Sequence, residues 1–356
     1  MGGIRRVKLV FQNVTQMVFC DGQALTAVVE VEVTEPTRVR KVSVNIDGSA
    51  HCRWKSGNTT YRGNMAYLSE CVVVWQPTVP NEMLTVGVHH WSFTFRLPRG
   101  LPSSCNIGCG GVSYEAAAVV DIPWGFDVAH RIPFGVVKRI EVNTTQLRRS
   151  ITKAAEKTLC CCCCSQGPVK LRATINKLGF CNGDSIDLKF SAENNTDREL
   201  GTLRVRLLRE EIAKVRNNTN SRTRTCHVAT TQEVLGAQSN INVNSFKIPV
   251  RDLPPSVAAQ VVFVKYTVEV AIVVPWGMNC VCRFDVVIGT MDSSDEDRQN
   301  VEELVGTLLR EAGRRAHIQS AARNEGLEEV HEPPPAYTDA VTSNSETQRL
   351  VSAMYD

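Results

Sequence analysis

Apolar and polar residues alternate with a period of two through most of the first 290 positions. Val29, Val31 and Val33 are separated by Glu30 and Glu32, and Val42, Val44 and Ile46 alternate with Lys41, Ser43 and Asn45. Trp91, Phe93, Phe95 and Leu97 share one face. Further on, Leu171, Ala173 and Ile175 alternate with Lys170, Arg172 and Thr174, and Ile186, Leu188 and Phe190 with Asp187 and Lys189. Val264, Tyr266, Val268, Val270 and Ile272 form one more one-sided ladder. Such strands, separated by Gly, Pro and Asn turns, predict antiparallel sandwiches rather than a parallel sheet covered by helices. A helical period occurs once, where Val301, Leu304, Val305, Leu308 and Leu309 fall on one face behind the acidic stretch Ser293–Asp297. Acidic residues there suit the positive end of a helix dipole. Beyond about residue 324 large apolar residues become sparse, and disorder is expected.

Two stretches recur at a spacing of 152 residues: Tyr114–Gly125 reads YEAAAVVDIPWG and Tyr266–Gly277 reads YTVEVAIVVPWG. Arg131 and Arg283 keep that spacing. Phe93–Pro98 recurs one residue out of register as Asn244–Pro249, and a Leu-Pro pair follows each copy, Leu101-Pro102 and Leu253-Pro254. Near the starts, Phe19–Leu25 (FCDGQAL) matches Phe180–Ile186 (FCNGDSI). Asp, Asn and Gly tolerate positive φ, so both segments read as turns that enter a strand. Start, middle and end recur in one order, which indicates a duplicated domain of ordinary domain size. The expected division is two tandem immunoglobulin-like β-sandwiches over 1–158 and 159–290, a helical extension over 291–324, and a disordered segment over 325–356.

Charge divides along the same line. Residues 1–165 carry 18 basic and 12 acidic side chains, residues 166–290 carry 16 and 11, and residues 291–356 carry 6 and 14. A basic body followed by an acidic segment suits an anionic membrane surface or a phosphorylated peptide as partner, or the return of the acidic segment onto the body. A plain solvated surface fits the same numbers. Nucleic acid is not expected, because the basic residues are spread over strands without a recognition element. Met1–Val7 enters an amphipathic strand with no apolar leader, Arg6 stands where myristoylation asks for Ser or Thr, and no run approaches the roughly 18 apolar residues of a membrane span. A cytoplasmic chain is expected, its 14 cysteines as thiols.

Cys160, Cys161, Cys162, Cys163 and Cys164 are consecutive at the junction of the two copies. Adjacent cysteines cannot converge on one metal, so zinc is not expected. With Arg148, Arg149, Lys153 and Lys157 upstream, the run suits reversible S-acylation near a membrane; the plainer alternative is a buried opening strand, cysteine packing as a small hydrophobe. Catalytic patterns are missing: the seven histidines are scattered, Ser150 and Lys153 form an S-x-x-K without its partner motifs, and Gly108–Gly111 reads as a glycine-rich hairpin rather than a phosphate loop. A binding protein without metal or cofactor is expected rather than an enzyme.

The acidic segment contains His331–Tyr337, reading HEPPPAY. Proline holds φ near the polyproline II value, a geometry that suits the aromatic groove of a WW domain, with Pro334 and Pro335 in the groove and Tyr337 in a second pocket. Together with the tandem sandwiches, Phe19–Gly22, Ala50–Trp54, Leu101–Ser104, Gly110–Tyr114, Pro123-Trp124, the cysteine run and Phe180–Gly183, this motif resembles the α-arrestins, or arrestin domain-containing proteins. Cys105 and Asn106 depart from the family pattern, and one PP-x-Y motif stands where relatives usually carry two. The resemblance implies an all-β, arrestin-like fold and a non-enzymatic adaptor. Its C-terminal segment would engage a WW-domain HECT-type E3 ubiquitin ligase, while its sandwiches hold cytoplasmic regions of membrane receptors or transporters at the plasma membrane and endosomes. Arg204, Arg206 and Arg209, with Arg222 and Arg224, are candidate contacts for anionic cargo; alternating arginines on a soluble face are the plainer reading. A ligase-independent, retromer-like scaffold, an extracellular adhesion module and an enzyme on a sandwich scaffold are the competing functions.

Overall fold

The structure, a computed structural model, describes residues 3–12, 17–161, 164–275 and 277–291. The helical pattern at 301–309 and the PPAY motif lie outside these residues. The first copy contains β1 (Ile4–Phe11), β2 (Val18–Cys20), β3 (Ala24–Val33), β4 (Thr37–Arg38), β5 (Lys41–Ser56) and β6 (Thr59–Trp75). It continues through β7 (Met83–Leu84), β8 (Gly87–Arg96), β9 (Cys105–Ile107), β10 (Gly110–Asp121) and β11 (Val128–Val137). The second copy contains β12 (Ile151–Cys161), β13 (Cys164–Ile175), β14 (Gly179–Phe180), β15 (Ser185–Asn194) and β16 (Thr202–Val215). It ends with β17 (Asn218–Val234), β18 (Ser239–Pro249), β19 (Val257–Ala259), β20 (Val262–Ile272) and β21 (Cys280–Ile288). The described part is all-β.

Each copy is a sandwich of a small sheet on a six-stranded one. In the first, β1-β3-β8 faces β2-β11-β10-β5-β6, with β9 added beside β10; in the second, β12-β13-β15-β18 faces β14-β21-β20-β16-β17, with β19 added beside β20. The pairing is antiparallel except where β2 runs parallel to β11 and β14 to β21. Both exceptions run into the Phe-Cys-Asp/Asn-Gly turns, where Gly22 and Gly183 take φ values of 76° and 96°. The alternation read from sequence is the burial pattern: Val29, Val31, Val42, Val44, Ile46, Leu171, Ile175, Leu188, Val264, Tyr266 and Val268 are all buried. β12 pairs along its length with β13, so the second sandwich begins at Ile151.

The duplication extends to hydrogen bonds that close each core. Tyr114 donates its hydroxyl to the Pro102 carbonyl, and Tyr266 to that of Pro254, each at 2.7 Å. The Val136 N–H donates to Ser104 Oγ, and the Ile288 N–H to Ser256 Oγ. Gly48 faces Tyr114 across the β5–β10 pair, and a Cβ there would lie 2.3 Å from the ring, so only glycine leaves room for it. Between the sandwiches, Thr290 donates to the Lys138 carbonyl and accepts from the Ile140 N–H, tying the end of β21 to the connecting segment. Tyr114→Phe or Tyr266→Phe leaves a carbonyl short of its donor. Each should lower the unfolding free energy of its own sandwich by about 1–3 kcal/mol, and equilibrium urea unfolding will show whether the losses add, as separated sites should.

Candidate functional site

The sequence-predicted residues fall in three places. Pro334, Pro335 and Tyr337 lie outside the described residues. In the cysteine run, Cys160 stands opposite Ser165 and Cys161 opposite Cys164 across the β12–β13 pair, with Cys162 and Cys163 outside the description. Cys160 and Cys161 therefore end the opening strand, and Cys164 begins the next. The arginines do not form one surface. β16 pairs with β20 without a shift, so Arg204 and Arg206 lie on one face and Arg209, an odd number of residues further, on the other. Arg206 Nε donates to Glu269 at 2.9 Å, while Arg283 holds the second Glu269 oxygen from 2.9 Å. The Glu269 side chain is 2 % exposed. Burial pushes its pKa up, but the hydrogen bonds and charges of Arg206 and Arg283 outweigh that and hold it below the usual carboxylate value.

Arg209 instead points into the junction of the two sandwiches. β5 and β6 lie there against β16 and β20. The approach is close enough that a Cβ on Gly63 would meet Val215 at 3.0 Å and Val261 at 3.2 Å. Beside this apolar contact sits a charged cluster. Glu211 Oε1 lies 3.3 Å from Arg209 Nη2, and Glu211 Oε2 lies 3.4 Å from Arg224 Nη2. From the first sandwich, the Gly108 N–H donates to Glu211 Oε2 at 3.3 Å. Cys109 Sγ, next in the same β9–β10 connection, lies 3.9 Å from Asn220 Oδ1 of β17. The Arg209 side chain is 9 % exposed and that of Glu211 2 %. Arg209 Nε and Arg224 Nε are buried without a hydrogen-bond partner. Burial pushes the neighbouring Cys105 thiol up to about 12, against a smaller downward pull from Arg209, so it stays protonated at neutral pH.

The sequence of each copy matches a known family. Residues 7–143 match the family model "Arrestin (or S-antigen), N-terminal domain", and residues 165–293 match "Arrestin (or S-antigen), C-terminal domain". Arrestin domain-containing protein 4 of Homo sapiens is 24% identical over 98% of this chain and 84% of its own length. Thioredoxin-interacting protein of Homo sapiens is 24% identical over 99% and 89%. Arrestin domain-containing protein 17 of Caenorhabditis elegans is 27% identical over 53% and 48%.

The chain belongs to the α-arrestins. Membership points to a trafficking adaptor and is consistent with a non-enzymatic role. In this α-arrestin, sequence reasoning missed the two carboxylates that organise the arginines, Glu211 and Glu269. Both stand on strands whose apolar alternation hides them: Glu269 interrupts Val268 and Val270, and Glu211 follows Glu210 where either could be the solvated one. Only the register across β16 and β20 separates inside from outside.

Glu211→Gln should lower stability by about 3–5 kcal/mol, since it leaves a buried arginine without its counter-charge. Replacing Arg209 and Glu211 together by methionine should cost much less in the same urea titration; an equal or larger loss would mean that the pair is not electrostatically coupled. Glu269 adds a pH dependence. Its folded pKa is depressed, so its stabilising contribution is present above the unfolded value of about 4.3 and is lost as pH falls through the folded value. Thermal unfolding followed downward from pH 6 should therefore steepen in wild type relative to Glu269→Gln.

Proposed function

We propose that this α-arrestin is an adaptor that brings a WW-domain HECT-type E3 ubiquitin ligase to membrane cargo, promoting ubiquitination, endocytosis and sorting of that cargo. The observation that carries the proposal is the placement of a PPAY motif in the acidic segment that follows two arrestin sandwiches. Pro334 and Pro335 supply a rigid polyproline surface, Tyr337 a ring for a second pocket, and Glu329 and Glu332 a charge that steers a basic groove. The cargo is the cytoplasmic region of a receptor or transporter, so the protein works in the cytoplasm and is recruited to plasma membrane and endosomes. No step requires a catalytic residue or a cofactor in the chain: holding ligase and cargo together raises their effective concentration.

The single motif favours modest affinity, because a second linked site would add avidity. The competing reading, a ligase-independent scaffold, predicts no dependence on Tyr337. Full-length protein and its Tyr337→Ala variant, titrated against a panel of isolated WW domains, separate the two. Micromolar binding that weakens at least about tenfold in the variant supports the ligase adaptor, and no binding by either protein removes the ubiquitin step.

A further inference from the structure

The six-stranded sheet of the second sandwich ends in β17, which pairs with β16 along one edge and with no described strand along the other. A free edge offers a row of N–H and C=O groups to any extended chain, and proteins ordinarily blunt it by short length, lysine, proline or cover. Other edges of this molecule show these devices. β2 and β14 have 3 and 2 residues. Lys8 stands beside Arg5 and Arg6 in β1, β12 contains Lys153 and Lys157, and β18 contains Lys247 and Pro249. β6 is as long as β17, but Val215 and Val261 close on it at Gly63 and Trp91 packs beside Trp75. β17 runs for 17 residues with neither lysine nor proline. A register shift at Cys226 interrupts it, leaving Asn218–Thr225 as an unbroken edge of eight residues.

The side chains of this segment indicate what pairs with it. Odd positions of β16 from Leu203 to Ala213 are buried, and even positions face outward. Lys214 pairs with Thr219, Ile212 with Ser221, Glu210 with Thr223 and Leu208 with Thr225, which carries the outward face onto β17. Those four β17 residues are exposed and uncharged, and three of them are β-branched. Such a row matches valine or threonine on a neighbouring strand. The other face is basic. Arg224 lies opposite Arg209, and Arg222 opposite Glu211. Arg224 reaches Glu211 at 3.4 Å, whereas Arg222 is exposed and has no ion pair or hydrogen bond with any described residue. Three guanidiniums around one carboxylate leave an excess of positive charge. Alternate residues of an added strand point to opposite faces, so carboxylates at every second position meet that charge while the residues between them cover the threonines.

We propose that Asn218–Thr225 of β17 receives an extended acidic peptide as an added strand, its carboxylates toward Arg222 and Arg224 and its β-branched residues on the outward face. The inference rests on the adaptor reading only for the peptide's source in cargo, and it uses no residue of the WW motif. The probe is a fluorescein-labelled synthetic octapeptide in which glutamate alternates with valine or threonine, titrated against full-length protein by fluorescence anisotropy with no WW domain present. It should bind saturably below about 1 mM, and its lysine-for-glutamate analogue at least about tenfold more weakly. Two further analogues are N-methylated, one on its glutamates and the other on the residues between. Because alternate residues turn their N–H groups to opposite sides, one of the two should lose binding and the other keep it. Arg222→Gln should weaken binding roughly threefold and unfold at the wild-type Tm, since it breaks no bond. Bound peptide should slow alkylation of Cys226, exposed at the end of the segment, and leave Cys71, exposed on β6, unchanged. Equal binding of both N-methylated analogues or of the lysine peptide, protection of Cys71 instead of Cys226, or no saturable binding overturns the proposal. So does a dimer of the protein alone with Cys226 already protected, which gives the edge to a second copy. Failure here leaves the WW titration standing, and failure there leaves this one.

Discussion

The arrangement of the two copies depends on a mismatch of strand lengths. β5 and β6 run for 16 and 17 residues, while the strands that face them, β1, β3 and β8, run for 8, 10 and 10. In the second copy β16 and β17 run for 14 and 17 residues over a sheet whose strands have 10 to 12. At about 3.3 Å per residue, the first overhang alone extends about 20 Å beyond its own cover. Its inward positions remain core-like: Ala50, Cys52 and Trp54 in β5 are buried, as are Arg209, Glu211 and Ala213 in β16. An overhang with a buried face needs a second body, and each sandwich lends its overhang to the other. The junction follows from sheet geometry before any particular side chain is considered.

Side chains then decide how the overhangs fit. Across the central pair, Tyr114 faces Gly48 in the first copy, whereas Tyr266 faces Arg209 in the second. One side of the junction is apolar, the other charged. Taking Glu211 and Arg209 out of water costs several kcal/mol per ion, which their attraction and the Gly108 N–H offset but do not greatly exceed. The cluster therefore acts on register more than on net stability. Apolar surfaces can slide over one another; a carboxylate that needs a particular N–H and two guanidiniums cannot.

Much of this was legible in the chain. Period-two alternation located the buried faces because a sheet with one dry side has no freedom in that pattern. The repeat located Tyr114 and Tyr266 and both Pro-Trp-Gly turns, though not the carbonyls that the tyrosines reach. The arginines of β16 were legible as a group and misleading as a surface: the step from Arg206 to Arg209 changes face, and each of those two is held by a glutamate distant or hidden in sequence. Burial of charge is a tertiary fact. Nothing within a few residues of Glu211 or Glu269 distinguishes them from Glu210, which stays at the surface.

The pattern of retention after duplication has a physical reason. The tyrosine–proline hydrogen bonds and the serine hydroxyls that accept a strand N–H recur at one spacing, because every sandwich must satisfy them internally. The carboxylate partners do not recur, although the arginine position does: Arg283 reaches Glu269 directly across the sheet, whereas Arg131 reaches Glu115, two residues from its partner Ala117. Two identical overhangs brought together would place like charge against like charge, or leave each carboxylate facing a surface with no donor to offer. Divergence of one overhang toward apolar residues and of the other toward a glutamate with its own arginines removes that conflict. Each sandwich then completes the other and has little means of completing a second copy of itself, so the asymmetry that makes the junction specific also restrains unwanted association of the chain.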